Sequence, residues 1–86
     1  MLVGDAMWYV YFLELSNGDI YVGSTRDLKP RFKCHQRGEV DSTRPCRPVI
    51  LRAYLAVETE KQARSLKRYF KTGSGKAIAK KRFLIR

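Results

Sequence analysis

Trp8-Tyr9-Val10-Tyr11-Phe12-Leu13-Glu14-Leu15, then Ser16-Asn17-Gly18-Asp19, then Ile20-Tyr21-Val22-Gly23-Ser24 is the stretch that decides the fold. Its first part is rich in aromatic and branched side chains, which suits a mostly buried strand. The middle is a turn in which Asn-Gly supplies positive φ, and the last part returns as a second strand. The register of this hairpin governs any chemistry on it. A two-residue Asn17-Gly18 loop pairs Leu15 with Ile20 and sends Tyr11 and Tyr21 to opposite faces. A three-residue loop, Ser16 to Gly18, pairs Leu15 with Asp19. Tyr21 then faces Leu13, Gly23 faces Tyr11, and both tyrosines share a face. The sequence leaves both registers open.

Downstream, Asp27 is the expected N-cap of a helix running to about Arg37. Pro30 falls in its first turn, where no intrahelical N–H is lost, and Gly38 ends it. Leu28, Phe32 and His35 recur at helical spacing, and Arg31 lies one turn from His35, so the two can point at a common site. Residues 39–47 read as a polar loop. Pro48 to Val57 reads as a third strand, in which Val49, Leu51 and Ala53 alternate with Arg52 and Tyr54 only roughly. Thr59 and Gln62 form a capping box for a helix to about Lys71.

On that helix, at 100° per residue, Ala63, Leu66 and Phe70 form the apolar face, and Lys67 borders it. Arg64, Arg68, Lys71 and Lys61 make a basic stripe beside Lys67. A lysine at such an edge either snorkels or reaches into a pocket. Thr72-Gly73-Ser74-Gly75 is expected to break the helix, with one or two further turns over residues 76–81. Gly-Ser-Gly-Lys lacks the full phosphate-loop pattern and follows no strand, which argues against a nucleotide site. Its backbone amides, with Lys76, can still meet a nucleic-acid phosphate. The fold expected is α/β in the mixed, α+β sense: a small three-stranded antiparallel sheet flanked by helices. Residues 1–7 read as a leader and residues 8–86 as a single domain.

The chain has 86 residues and a formal net charge of +10. That length allows one small core and excludes a large cofactor-binding fold. Residues 1–60 carry eight basic and eight acidic side chains, whereas residues 61–86 carry ten basic and none acidic. A charge block so placed favours a polyanionic partner through counterion release at phosphates. Cys34 and Cys46 match no metal or redox spacing, and with no secretory signal the expected compartment is a reducing cytoplasm. The longest apolar run, Met7 to Leu13, is far too short to span a membrane.

Taken in order, the hairpin, the Arg31-x-x-x-His35 helix and the basic second helix resemble the GIY-YIG nuclease superfamily, most of all its small stand-alone bacterial members. The first motif reads Tyr9-Val10-Tyr11, so only its final Tyr matches. The second reads Tyr21-Val22-Gly23, followed by Ser24-Thr25. Asp27-Leu28-x-x-Arg31-Phe32-x-x-His35 matches in order and spacing. The tail Arg68-Tyr69-Phe70-Lys71-Thr72-Gly73-Ser74-Gly75-Lys76-Ala77 resembles the subgroup's ending. This resemblance implies hydrolysis of DNA phosphodiester bonds with one divalent metal, Mg²⁺ or Mn²⁺, and a nucleic-acid partner, DNA rather than RNA. It implies Tyr11 as general base, Tyr21 as its positioning partner, Arg31 as phosphate clamp and His35 as orienting or relay group, with Gly23 leaving room for close approach. Arg44, Arg64, Arg68, Lys71 and Lys76 are the expected contacts to nucleic acid.

One position departs from the pattern. The family's metal ligand is a glutamate on the second helix, and Ala63-x-x-x-Lys67-Arg68-Tyr69-Phe70-Lys71 puts Lys67 there. A hard cation wants carboxylate oxygen, and an ammonium repels it. Ser42-Thr43-Arg44 also lacks the tyrosine that relatives carry before Thr-Arg. Three readings stay open: a catalytically inactive nucleic-acid-binding module, a phosphodiesterase in which Lys67 stands beside the phosphate in place of the metal, or an introduced inactivating change.

Overall fold

β1 (Trp8–Glu14) is the centre of a three-stranded antiparallel sheet, with β2 (Ile20–Thr25) on one side and β3 (Ile50–Val57) on the other. The computed structural model describes residues 7–84, so the expected leader lies outside the described residues except for Met7. Three α-helices and one 3-10 turn complete the order among the described residues: α1 (Leu28–Gln36) and the turn (Arg44–Cys46) between β2 and β3, then α2 (Glu60–Phe70) and α3 (Gly73–Phe83) after β3. The architecture is α+β, as expected.

The hairpin takes the three-residue loop. The Leu15 N–H donates to the Asp19 carbonyl over 2.9 Å, and Gly18 carries a φ of +85°. That register pairs Leu13 with Tyr21 and Tyr11 with Gly23. Both tyrosines therefore sit on one face.

Because β1 is central, both of its faces are covered. Val10 and Phe12 join Ile20, Val22, Ala63, Phe70 and Ala79 in one core beneath α2 and α3. Tyr11, Leu13 and Val49 form a second core, on which Leu28 and Phe32 of α1 pack. The rough alternation along β3 has a physical cause. Phe12 opposes Ala53 while Leu13 opposes Leu51, so Arg52 is an extra, bulged residue. The bulge turns Leu51 toward the α1 core and leaves Ala53, Leu55 and Val57 on the α2 face. Arg52 itself reaches Glu14, with 2.7 Å between Nη2 and Oε1.

Three expectations are corrected. Asp27 is the N-cap of α1, but its side chain makes no cap hydrogen bond; the Thr25 hydroxyl accepts from the Asp27 N–H instead, at 3.1 Å. β3 begins at Ile50 rather than Pro48, since proline brings no N–H to a ladder. Thr72 to Gly75 does not only end a helix. Thr72 is the N-cap of α3, its hydroxyl accepting from the Gly75 N–H at 3.0 Å, and α3 runs on to Phe83. The Thr59–Gln62 capping box is present at the start of α2.

Gly75 is buried where α3 crosses the end of α2. A Cβ there would collide with the Tyr69 carbonyl oxygen and come within 2.7 Å of the Phe70 Cα. Backbone cannot swing aside as a side chain can, so Gly75→Ala is expected to cost about 1–3 kcal/mol. Urea unfolding of that variant beside Gly73→Ala, where a Cβ meets nothing within 4 Å, checks this. Equal stability of the two would remove the close crossing from the account.

Candidate active site

The Tyr11 side chain is 1% exposed and lies across β2 at the one cross-strand position that offers no side chain, Gly23. A Cβ on Gly23 would overlap the Tyr11 hydroxyl and ring. The phenol passes over that gap toward α1. There its oxygen lies 2.9 Å from His35 Nε2, and Arg31 Nε donates to it at 3.4 Å. Arg31 and His35 stand one helical turn apart on α1, so one helix face delivers both groups to one oxygen. The Tyr21 ring closes the cluster, with its centroid 6.3 Å from that of Tyr11 and 5.1 Å from that of His35.

His35 is fully buried, and its second nitrogen is taken. Nδ1 lies 2.8 Å from the hydroxyl of Thr43, which is also 0% exposed. Proton bookkeeping assigns the tautomer. The Thr43 hydroxyl faces the Val40 carbonyl at 3.4 Å and donates to it, so it accepts from Nδ1–H. Nε2 is then the bare nitrogen that accepts from the Tyr11 hydroxyl. This arrangement places every proton, and no buried side-chain nitrogen or oxygen among the described residues lacks a partner. Thr43 went unassigned in the sequence reading. It sits in a polar loop, and its burial comes from the loop folding back over α1, which no local pattern announces.

The electrostatics follow from burial. The His35 imidazole is pushed down from 6.5 to about 4, first by desolvation and then by the Arg31 charge. Burial also pushes the Tyr11 hydroxyl above the usual phenol value of 10.0; the Arg31 hydrogen bond pulls it back without prevailing. Arg31 is held firmly charged, chiefly by its bond to Tyr11. The result is a neutral phenol bonded to a neutral imidazole, beneath a fixed cation.

Lys71 of α2 also approaches this cluster, with its ammonium 5.2 Å from the centre of the Tyr21 ring. Lys67 and Lys71 share an open groove with Arg64, Arg68, Trp8, Ser24 and Glu60. Glu60 is bonded to Arg64 at 2.7 Å. Arg44 is held in its own loop by Asp41 at 2.9 Å, and Lys76 stands 3.6 Å from Asp19 at the hairpin turn. Both, like Arg64, stand beside a carboxylate at the surface.

The GIY-YIG catalytic domain family, compared by its sequence model, matches residues 7–82. The chain belongs to the GIY-YIG family. A UPF0213 protein of Cupriavidus pinatubonensis is 35% identical over 60 residues, covering 69% of this chain and 67% of that one. A UPF0213 protein of Bacillus pumilus is 35% identical over 69 residues, covering 79% and 70%. The solution structure of a UPF0213 protein from Bacillus halodurans superposes with a TM-score of 0.54 at 31% identity, covering 84% of this chain and 80% of that one. GIY-YIG proteins are nucleases, so the partner class is nucleic acid. No helix among the described residues is long and apolar enough to cross a membrane.

GIY-YIG nucleases generally use a divalent metal, and the donor set here does not fit one. The glutamate position of α2 carries the Lys67 ammonium. The carboxylate in its groove, Glu60, is paired with Arg64. No cluster of three His, Cys, Asp or Glu side chains among the described residues could hold an ion. A hard cation needs oxygen ligands, and none converge here.

The neutral state of His35 has a measurable consequence. As pH falls through 6.5 the unfolded chain takes up a proton at His35, while the folded chain does so only near 4. Stability is therefore full above about pH 6.5 and is lost between there and about pH 4. The thermal midpoint of the wild type is expected to fall across that window. His35→Gln, less stable overall, should lack this share of the slope and keep only the fall due to carboxylates such as Asp19, whose own pKa is lowered. Parallel curves for the two proteins would mean that His35 is not held neutral.

Proposed function

We propose that the chain hydrolyses phosphodiester bonds in DNA, in the cytoplasm, with Tyr11 as general base and Arg31 as the clamp on the scissile phosphate. The observation that carries this reading is the hydrogen-bonded line from Tyr11 through His35 to Thr43, with Arg31 on the same phenol oxygen. A tyrosine in an ordinary core position needs one partner for its hydroxyl. This one has a donor, an acceptor and a fixed tautomer behind the acceptor.

The phenol oxygen has two lone pairs. Arg31 takes one, and the other is left for a water. As that water attacks phosphorus, its proton passes to the Tyr11 oxygen while the Tyr11 proton passes to His35 Nε2. The bond from phosphorus to the departing oxygen breaks with its electron pair on that oxygen, which takes a proton from solvent while the His35 imidazolium gives one up to solvent, and the line returns to neutral. The low basicity of His35 opposes the first transfer. Substrate relieves part of this opposition, because a phosphate anion on Arg31 offsets the charge that helps to push the imidazole down. The line thus gains basicity when substrate is bound. Tyr21 positions the Tyr11 and His35 rings. Lys67 and Lys71 add positive charge along the groove that approaches Tyr21, and Arg64 and Arg68 extend it for the flanking backbone.

Lys67 favours a second reading. An ammonium stabilises phosphate charge but does not acidify water as a metal does. The same groove on a catalytically silent scaffold is a nucleic-acid-binding module. Cleavage of labelled DNA in Mg²⁺, Mn²⁺ and EDTA separates the two. The phosphodiesterase reading expects slow cutting that persists in EDTA, falls about 100-fold or more in Tyr11→Phe and falls about 100- to 1,000-fold in Arg31→Ala. If the wild type binds without cutting, and Tyr11→Phe binds equally well, the binding module stands and catalysis does not. Metal-dependent cutting confined to Lys67→Glu would mean a nuclease scaffold whose metal site is lost here.

A further inference from the structure

The α1 core covers only one end of its sheet face. Leu13, Tyr21 and Leu51 lie beneath Leu28 and Phe32. Toward the other end, Tyr9 and Tyr54 remain. Tyr54 is 54% exposed, and the two rings meet edge to face with centroids 5.8 Å apart. They line a shallow open groove with Arg26, Asp27, Leu28, Lys29 and Pro30. The Arg26 guanidinium also lies over the Trp8 ring, 5.6 Å from its centre, and Lys29 stands with it at the rim. Tyr54 is exposed and Tyr9 half-buried, and neither ring belongs to either buried cluster.

The patch is continuous with the site. Tyr54 is the direct cross-strand neighbour of Tyr11, and Tyr9 lies two residues before Tyr11 on the same strand, so all three start from one face of the sheet. Pro30, which lines the groove, is the chain neighbour of Arg31, so a strand held at Arg31 has this surface beside it. What suits a flat aromatic face with cations at its rim is a nucleobase, stacked on the ring, with its phosphates near the cations. A paired base inside a duplex has both faces covered by its neighbours and cannot present one. An unpaired base can.

We infer that Tyr9 and Tyr54, rimmed by Arg26 and Lys29, form a stacking subsite for an unpaired base beside the phosphate held at Arg31. The inference rests on the nucleic-acid reading of the Tyr11 site and narrows it to substrates with single-stranded character. Tyr54 supplies the platform, and Tyr9 supports it from the side.

The test is equilibrium binding in EDTA, by fluorescence anisotropy, of a labelled single-stranded DNA oligonucleotide and of its blunt duplex. It uses the wild type, Tyr54→Ala, Tyr54→Phe and Arg68→Ala/Lys71→Ala. Loss of one stacked base is expected to weaken single-strand binding by Tyr54→Ala about tenfold. Duplex binding should stay within about twofold, and Tyr54→Phe should keep the wild-type affinity. Because Tyr54 is exposed, the variant should melt with the wild type. Equal weakening on both DNAs, or none on either, overturns the subsite. If Tyr54→Ala instead changes the sedimentation mass and not the affinity, a second copy covers the face and the subsite is again refuted. The Arg68→Ala/Lys71→Ala variant separates the two levels. Weakening of both DNAs by it, with no effect of Tyr54→Ala, refutes stacking alone. No binding by any protein refutes the nucleic-acid reading and the subsite together.

Discussion

The Tyr11 ring needs a missing side chain opposite it, and much of the molecule follows from that need. Gly23 can stand across from Tyr11 only if Leu15 pairs with Asp19, which requires a three-residue turn with Gly18 at positive φ. A shift by one residue would put Val22 or Ser24 in the gap and rotate Tyr21 to the other face. The same register gives β1 its division of labour. Val10 and Phe12 serve the α2–α3 core, and Tyr11 and Leu13 serve the α1 core. A strand buried on both faces must spend its polar atoms inside the protein. The Tyr11 hydroxyl does so on His35, and His35 on Thr43.

That line couples stability to chemistry. Each member satisfies the next, so each is cheap to bury only while its neighbour is present. A neutral imidazole costs less to bury than a charged one, and this selects the state in which Nε2 can accept a proton. Among the described residues, Arg31 is the ionised group that touches the line. It is half-buried and so reaches both the phenol and the solvent side. Its charge opposes protonation of His35 when alone and ceases to do so when an anion neutralises it. The electrostatic setting of the site is therefore different with and without a bound phosphate, with no change of fold.

The sequence carried the elements more readily than their joining. The sheet, the α1 spacing of Arg31 and His35, the Thr59–Gln62 box and the edge position of Lys67 all follow from local periodicity and capping, which act over one or two turns. The hairpin register did not, because Asn17-Gly18 satisfies a two-residue turn and a three-residue turn alike. The bulge at Arg52 was visible only as imperfect alternation, since its cause is the pairing with β1 and the pull of Glu14. Thr43 was silent for a related reason. Its role depends on a loop closing over α1, a contact set by tertiary packing. The extra length of α3 was hidden by its glycines, which weaken a helix locally. Here Gly75 is required by the close crossing of α2.

Lys67 changes which part of the site must do the work. A divalent ion in such a position lowers the pKa of a bound water and so supplies the nucleophile directly. A lysine brings a single charge and no acidified water. Under the proposed function the burden of removing the proton falls on Tyr11 and His35, whose burial raises the pKa of one and lowers that of the other. Both shifts oppose transfer from phenol to imidazole. A site arranged this way gains from substrate in two places, at Arg31 and along the Lys67–Lys71 groove. It gains little from raising pH alone, because the imidazole is already neutral above about 4. Under the proposed function, occupancy of the anion sites is what sets the rate. The long basic surface of α2 is then part of the chemistry as well as of binding.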